Sequence, residues 1–221
     1  MSWEDRHYEL DIGGQHHSLI SVTSVLRVHN QEGLNVWRAK LGWELSEQER
    51  EETSEIGKEI HRYIPLLIKK EGDPEWSNKF RMEWKLLSEE IKNGLRAYER
   101  VRTEAALKCE AAEMIVYNLE LGYAGTLDFI GEVYKEGGLI DWKTGKRFYP
   151  SMLAQGVAYY KALPAEIRSR IQNIYTVNLN RNTGVPDIHR LRVEDSDPYW
   201  DYFVACLNLF NASEKISILT T

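Results

Sequence analysis

Two acids and a lysine lie close together in the middle of the chain, within the stretch GTLDFIGEVYKEGGLIDWKTGKR at 125–147. Asp128 and Asp141 are surrounded by β-branched and aromatic residues that predict strands, and Lys143 follows the second acid at a spacing of two. Charged groups inside a sheet are costly unless a partner compensates them. Because side chains alternate along a strand, Asp141 and Lys143 are expected on the same face.

Carboxylates and a lysine that converge on one point suit the hydrolysis of a phosphate ester. Carboxylate oxygens bind a hard divalent cation such as Mg²⁺, which neutralises a phosphate and lowers the pKa of a bound water. A lysine can stabilise the charge that develops on the phosphate or orient the attacking water. The backbone carbonyl of Trp142, between Asp141 and Lys143, can reach such a metal only if the strand twists there.

The two acids belong to neighbouring predicted strands, which are joined near Glu136-Gly137-Gly138. A tight hairpin at these residues puts Asp128 on the same face as Asp141. It also offsets the two acids by about four residues, or roughly 13 Å along an ideal strand. A shared site therefore requires a bulge or a strong bend in one of the strands.

The N-terminal half that precedes these strands is predicted to be mostly helical. Residues 7–20 predict a hairpin that turns at two glycines, and two short helices follow. A helix over 46–70 is expected to begin with a capping box of Ser46 and Glu49. Within it, Gly57 is expected at a close contact between helix and sheet. An aspartate cap and a proline then open a helix predicted over about 74–102.

The C-terminal half alternates between strands and helices. After three glycine-separated strands from about residue 110, the pattern predicts a helix at 149–162, strands near 171–180 and 187–193, and a last helix from residue 197. We expect an α/β fold with a mixed central sheet, helices on both faces and a helical N-terminal extension. The whole chain, 1–221, is expected to form one domain.

Composition restricts the class of protein. The 221 residues carry a net charge of −6, which disfavours a protein that simply coats nucleic acid but permits an enzyme that grips a few phosphates. No apolar run approaches the length of a membrane span, and the charged N-terminus lacks the apolar core of a signal peptide. The two cysteines, Cys109 and Cys206, indicate free thiols in a reducing cytoplasm and are too few for an iron–sulfur cluster.

Four motifs in order resemble the PD-(D/E)xK nuclease superfamily in its RecB-like branch. GTLDFIG followed by LIDWKTGK is similar to the core of that family. Upstream, EIGKEIHRYI contains a glycine–x3–histidine motif that ends at His61, and downstream SMLAQGVAYY contains a glutamine–x3–tyrosine motif at Gln155 and Tyr159. Glu113 lies in the strand before the first aspartate, where the branch often has an acid. The matched region spans about 53–160.

The resemblance implies a site for Mg²⁺ or Mn²⁺. Some members of the family hold an iron–sulfur cluster with four cysteines, and this chain, with two, departs from that pattern. The implied ligands of the divalent ion are His61, Asp128, Asp141 and the carbonyl of Trp142, with Glu113 as a possible further member. Lys143 would be the catalytic lysine. Gln155 and Tyr159 are one helical turn apart, so both can face the site and position the substrate strand or the active-site groups.

The function that we expect from the resemblance is that of a metal-dependent deoxyribonuclease, an exonuclease that acts on single-stranded DNA ends. The chain resembles compact exonucleases of phages or of mitochondrial genome maintenance. This implies a cytoplasmic protein that is bacterial, phage-encoded or archaeal, or a protein of an organelle matrix. Trp37 and Arg38 could stack a base and bind a phosphate, and Lys146 and Arg147 are further substrate-binding candidates. A structure-specific endonuclease with the same core and a non-catalytic DNA-end-binding module remain as alternatives.

Overall fold

A mixed β-sheet forms the centre of the molecule. The computed structural model describes residues 6–28, 38–70, 73–145 and 147–220, and these contain one sheet of seven strands. The strands are β1 (His7–Ile12), β2 (Gln15–Ser21), β3 (Lys108–Asn118), β4 (Tyr123–Val133), β5 (Glu136–Lys143), β6 (Asn173–Leu179) and β7 (Pro186–Arg192). Their order is β1-β2-β4-β5-β6-β7, and β3 pairs with β4.

Helices cover both faces of this sheet. They are α1 (Val22–Arg27), α2 (Trp43–Lys69), α3 (Pro74–Trp84), α4 (Glu89–Glu104), α5 (Pro150–Ala162), α6 (Ala165–Arg168) and α7 (Asp197–Thr220). Residues of α1, α5 and α7 form one buried cluster with the sheet, and residues of α2 and α4 form a second. The predicted α/β fold with a mixed sheet between helices is therefore confirmed. Within the described ranges, none of the helices combines the length and the apolar character that a membrane span needs.

The predicted N-terminal hairpin is confirmed and belongs to the sheet. β1 and β2 are antiparallel, and their pairing extends from His7 opposite Ile20 to Ile12 opposite Gln15. Gly13 and Gly14, which join them, have φ angles of 60° and 81°, a region that glycine adopts without strain. Because β2 then pairs in parallel with β4, the first strands are part of the central sheet and not of a helical extension.

The predicted start of the helix over 46–70 is wrong by three residues. α2 begins at Trp43 after Gly42, which makes no side-chain cap bond. Ser46 lies inside the first turn, where its hydroxyl donates to the carbonyl of Trp43 at 2.7 Å. A hydroxyl that is bonded back along the helix cannot cap it, so Ser46 and Glu49 form no capping box.

The helix predicted over 74–102 is divided into α3 and α4. α3 begins as predicted, with the Asp73 carboxylate accepting the N–H of Trp76 at 3.1 Å. It ends at Trp84, and Ser88 caps α4 by accepting the N–H of Ile91 at 3.3 Å. The apolar stripe continues across this break, so periodicity alone could not reveal it.

The sheet divides around β4, and this division opens the space for a site. β3 pairs along one edge of β4, at residues 123–132. The other edge is shared, because β2 pairs with 123–124 and β5 pairs with 129–133. Among the described strands, residues 125–128 therefore have no partner on that edge.

The alternation of side chains along β4 is interrupted at the end of this gap. Leu127 packs in the cluster that contains α5, whereas Phe129 packs in the opposite cluster beside Trp142. In a regular strand, residues two apart share a face. The interruption therefore lies at Asp128, the first of the two aspartates that are expected to form the site.

Candidate active site

The turn between β4 and β5 differs from the one that the glycines predict. Tyr134 and Lys135 form a two-residue turn with φ angles of 53° and 67°, and Val133 pairs directly with Glu136. Positive φ at both central positions is typical of the hairpin turns that match the twist of the strands. Tyr-Lys is not a usual sequence for such a turn, whereas glycine pairs are, and this explains the misplaced prediction.

Gly137 and Gly138 have a packing role inside β5. A Cβ at Gly138 would lie 2.7 Å from Cγ2 of Val133, and one at Gly137 would clash with the carbonyl oxygen of Arg170. Both positions therefore need glycine because neighbouring atoms approach the backbone closely.

The register of this hairpin brings the two aspartates together. Phe129 pairs with Ile140, so one step further along both strands places Asp128 opposite Asp141. The predicted offset of about four residues is therefore wrong. The backbone ladder ends here, and the N–H of Trp142 donates instead to Oδ2 of Asp128 at 2.7 Å. Since the N–H and C=O of a strand residue point to the same neighbour, the carbonyl of Trp142 also faces this side.

A third acid extends the pair into a row across three strands. Ala112 and Met114 of β3 pair with residues 129 and 127 of β4, which places Glu113 opposite Asp128. Glu113 has a φ of 54°, a left-handed conformation that is rare for residues other than glycine and is often found at functional sites. Loss of solvent around its carboxyl group and the charge of Asp128 raise the pKa of Glu113. Glu113, Asp128 and Asp141 thus form a carboxylate row across β3, β4 and β5.

Helix α2 delivers a histidine to the carboxylate row. Nδ1 of His61 lies 3.5 Å from Oδ1 of Asp128. Burial lowers the pKa of His61, but the hydrogen bond and charge of Asp128 outweigh it, so the pKa is raised above its ordinary value. Ligating atoms of His61, Glu113 and Asp128 all lie within 4.8 Å of one another.

Gly57, one turn before His61, sets how close α2 lies to the sheet. A Cβ at this position would lie 2.8 Å from Oγ1 of Thr144, the residue that follows β5. The predicted close helix–sheet contact at Gly57 is therefore confirmed, and one turn later the same helix brings His61 to Asp128 of β4.

Asp141 belongs to a buried polar network. Its Oδ2 lies 2.7 Å from Nζ of Lys143, and its Oδ1 accepts from Nε2 of Gln155 at 2.9 Å. Gln155 also accepts from Lys143 through Oε1 and donates to Oη of Tyr159, both at 2.9 Å. Gln155 thus connects the lysine, the aspartate and the tyrosine, which are predicted from two separate motifs.

The network changes the acidity of its members. Burial raises the pKa of Asp141, the charge of Lys143 opposes this, and the charge of Asp128 adds to it. Burial and the two aspartate charges raise the pKa of Tyr159, so its phenol keeps its proton. Since Gln155 donates to Oη of Tyr159, the phenolic proton remains available to an acceptor in the cavity.

All of these side chains line one cavity of about 500 Å³. Every residue that the resemblance assigns to metal binding or catalysis contributes to its wall, and Glu113 does so too. The N-terminal strands, the residue before them and α1 also contribute to the wall, with Arg6, Tyr8, Ser21 and Thr23. The pattern along the chain gave no reason to select these four, because only the pairing of β2 with β4 brings them to the site.

The two substrate-binding candidates that the structure describes, Arg38 and Arg147, do not share this wall. Arg38 is paired with Glu47 at 2.7 Å, and its guanidinium lies 4.7 Å from the centre of the Trp43 ring. Neither Arg38 nor the exposed Arg147 lines the cavity. Trp37 and Lys146 lie outside the described residues.

Gly125→Ala tests the packing that holds Tyr159 in the cavity wall. An alanine Cβ at Gly125 would clash with the Tyr159 ring, which is buried and has little room to move. We expect the free energy of unfolding to fall by about 1–3 kcal/mol, the usual cost of overpacking. Urea unfolding measures the change, and Gly145→Ala is the control, because its nearest contact would be an ordinary 4.0 Å. Equal stability of the two variants would contradict this packing.

No protein-family model matches the chain, and a search of the curated proteins gave no match either. What the site can do therefore follows from its own chemistry: a row of three acids, a neighbouring imidazole and a lysine held beside a buried carboxylate.

Proposed function

We propose that the chain is a metal-dependent deoxyribonuclease that hydrolyses phosphodiester bonds, acting as an exonuclease on single-stranded DNA ends. The observation that carries the proposal is the convergence in one cavity of the carboxylate row, His61 and Lys143. These groups come from one helix and three strands, and each has a role in phosphodiester hydrolysis. The free thiols of Cys109 and Cys206 support a reducing compartment such as the cytoplasm or an organelle matrix.

The donor set fits a divalent cation. Carboxylate oxygens suit Mg²⁺ and Mn²⁺, and one imidazole is compatible with a mixed oxygen–nitrogen site. Oδ2 of Asp141 is buried and lies 2.7 Å from the ammonium of Lys143, so this carboxylate already faces a positive charge inside the cavity. His61, Asp128, Asp141 and Glu113 would hold the ion, with the carbonyl of Trp142 as a further ligand. When bound, the ion would neutralise phosphate charge and lower the pKa of a water.

Lys143 and Tyr159 act on the phosphate from the side of α5. The ammonium of Lys143, held by Gln155, can stabilise the negative charge that develops on the phosphate oxygens. Tyr159 is protonated and can donate a hydrogen bond into the cavity. Gln155 fixes the positions of both, because it bonds each of them directly. Preorganised donors of this kind cost no reorganisation during the reaction.

The need for a free end is tested with matched substrates. We expect a linear, end-labelled single strand to be degraded with Mg²⁺ or Mn²⁺, and a circular strand of the same sequence to persist. EDTA should stop the reaction, because the carboxylates then have no ion to hold. Gel electrophoresis over time distinguishes the outcomes. Rapid cutting of the circle would show a structure-specific endonuclease, and binding of ends without cleavage would show a DNA-end-binding module.

A further inference from the structure

Two exposed apolar side chains lie on the sheet beside the cavity. Ile115 and Tyr117 of β3 are 48% and 39% exposed. They pair with Thr126 and Ala124 of β4, and the side chains of directly paired residues project from the same face. Thr126 lines the cavity, so Ile115 and Tyr117 extend the cavity wall along the sheet.

These side chains lead away from the carboxylate row. Glu113, Ile115 and Tyr117 are successive outward positions of β3, about 7 Å apart along an ideal strand. Val116, between the last two, is buried in the cluster that contains α5, which fixes the outward direction of its neighbours. An apolar path two side chains long therefore begins beside Glu113.

Arg6 and Tyr8 lie on the other side of Thr126 from this apolar path. Oη of Tyr8 lies 3.0 Å from Oγ1 of Thr126, and the guanidinium of Arg6 lies 4.8 Å from the centre of the Tyr8 ring. Both residues line the cavity. Arg6 forms no ion pair with an acid of the described residues, whereas the lysine of the cavity, Lys143, is already paired with Asp141. Within the described part of the chain, Arg6 is therefore a cation of this wall that no acid pairs and that can bind a ligand.

We infer that a single strand of nucleic acid crosses this face on its way to the carboxylate row, with bases stacked on Ile115 and Tyr117 and a phosphate bound by Arg6. Apolar and aromatic side chains next to a cation are the usual means of binding a strand with unpaired bases. In a duplex the same base faces are covered by neighbouring base pairs, so the surface favours single strands. The inference rests on the proposed nuclease function and adds where the strand lies.

Binding to a fluorescent oligothymidylate in EDTA tests the stacking. We expect Tyr117→Ala to raise the dissociation constant roughly tenfold, within the range of one lost base–aromatic contact. Tyr134→Ala is the matched control, since Tyr134 is also exposed but lies in the turn at the far end of β4. It should bind as the unmodified protein does. An unchanged dissociation constant for Tyr117→Ala would overturn the inference.

An abasic oligonucleotide separates stacking from a general effect on the fold. The unmodified protein should bind a strand with several abasic sites more weakly than the intact strand. In Tyr117→Ala the affinities for the two strands should be nearly equal, because the side chain that stacks on the base has been removed. A merely structural role for Tyr117 would weaken both strands equally and would overturn the inference.

Arg6→Ala tests the phosphate contact through its salt dependence. The logarithm of the binding constant should fall less steeply with the logarithm of salt concentration, by about one phosphate contact. Arg192→Ala is the control of equal charge, because Arg192 is exposed and paired with Glu194 at the end of β7. An unchanged slope for Arg6→Ala would overturn its role.

The hydrolytic chemistry and the position of the strand are tested by separate measurements. Hydrolysis of bis(p-nitrophenyl) phosphate by the unmodified protein with Mn²⁺ reports the proposed nuclease chemistry without requiring a bound strand. The binding measurements need no cleavage, so they decide the position of the strand even if this small phosphodiester is not hydrolysed.

Discussion

Asp141→Asn is expected to abolish the metal-dependent cleavage of single-stranded DNA while the fold stays intact. Asparagine keeps the size of the side chain and an oxygen that can accept from Nε2 of Gln155, as Asp141 does at 2.9 Å. It removes the negative charge that pairs with Lys143 and that would hold the cation. Cleavage of an end-labelled strand with Mn²⁺ measures activity, and calorimetric titration with Mn²⁺ measures the expected loss of metal affinity.

Asp195→Asn is the control for this variant. Asp195 is an exposed acid in the short 3₁₀ turn before α7, so its replacement changes net charge equally without touching the cavity. Circular dichroism should show native secondary structure for both variants. If folded Asp141→Asn still cleaves DNA with Mn²⁺, the carboxylate row is not the catalytic centre.

Lys143→Ala is expected to lower turnover by about two to three orders of magnitude while metal binding is retained. A protonated lysine has no lone pair for a metal, and its charge repels a cation. Lys143 would instead stabilise the negative charge that develops on the phosphate. Removing one preorganised donor of this kind lowers turnover by about two to three orders of magnitude. Single-turnover cleavage and titration with Mn²⁺ measure the two quantities separately.

The control is Lys108→Ala, which removes an exposed lysine that pairs with Glu132 on the surface of the sheet. It should leave both turnover and Mn²⁺ affinity unchanged. If Mn²⁺ affinity collapses together with turnover in Lys143→Ala, the lysine supports the shape of the site and does not act on the phosphate.

Local periodicity predicted those parts of the candidate site that depend on one element at a time. The spacing of two put Asp141 and Lys143 on one face, and the helical spacing of four put Gln155 beside Tyr159. Both relations follow from the geometry of a single strand or helix, so they are visible in the chain before any tertiary structure is known.

Relations between elements were predicted less well. The distance between Asp128 and Asp141 depends on the turn, and glycines that pack inside β5 were taken for turn residues. Arg6 and Tyr8 reach the cavity only because β2 adds to the same edge of β4 as β5 does. Nothing in the residues around Arg6 encodes that pairing, since the sequence separation between β2 and β4 is about a hundred residues.

The turn of Tyr134 and Lys135 restricts which insertions and deletions the chain can accept. Surface loops usually tolerate changes in length. Here one added or lost residue would shift β5 against β4 by one position, and every side chain of β5 would move to the opposite face of the sheet. Asp141 would then turn into the core and Trp142 toward the cavity. The length of this turn is therefore as constrained as the acids themselves, although about 17 Å of strand separates them.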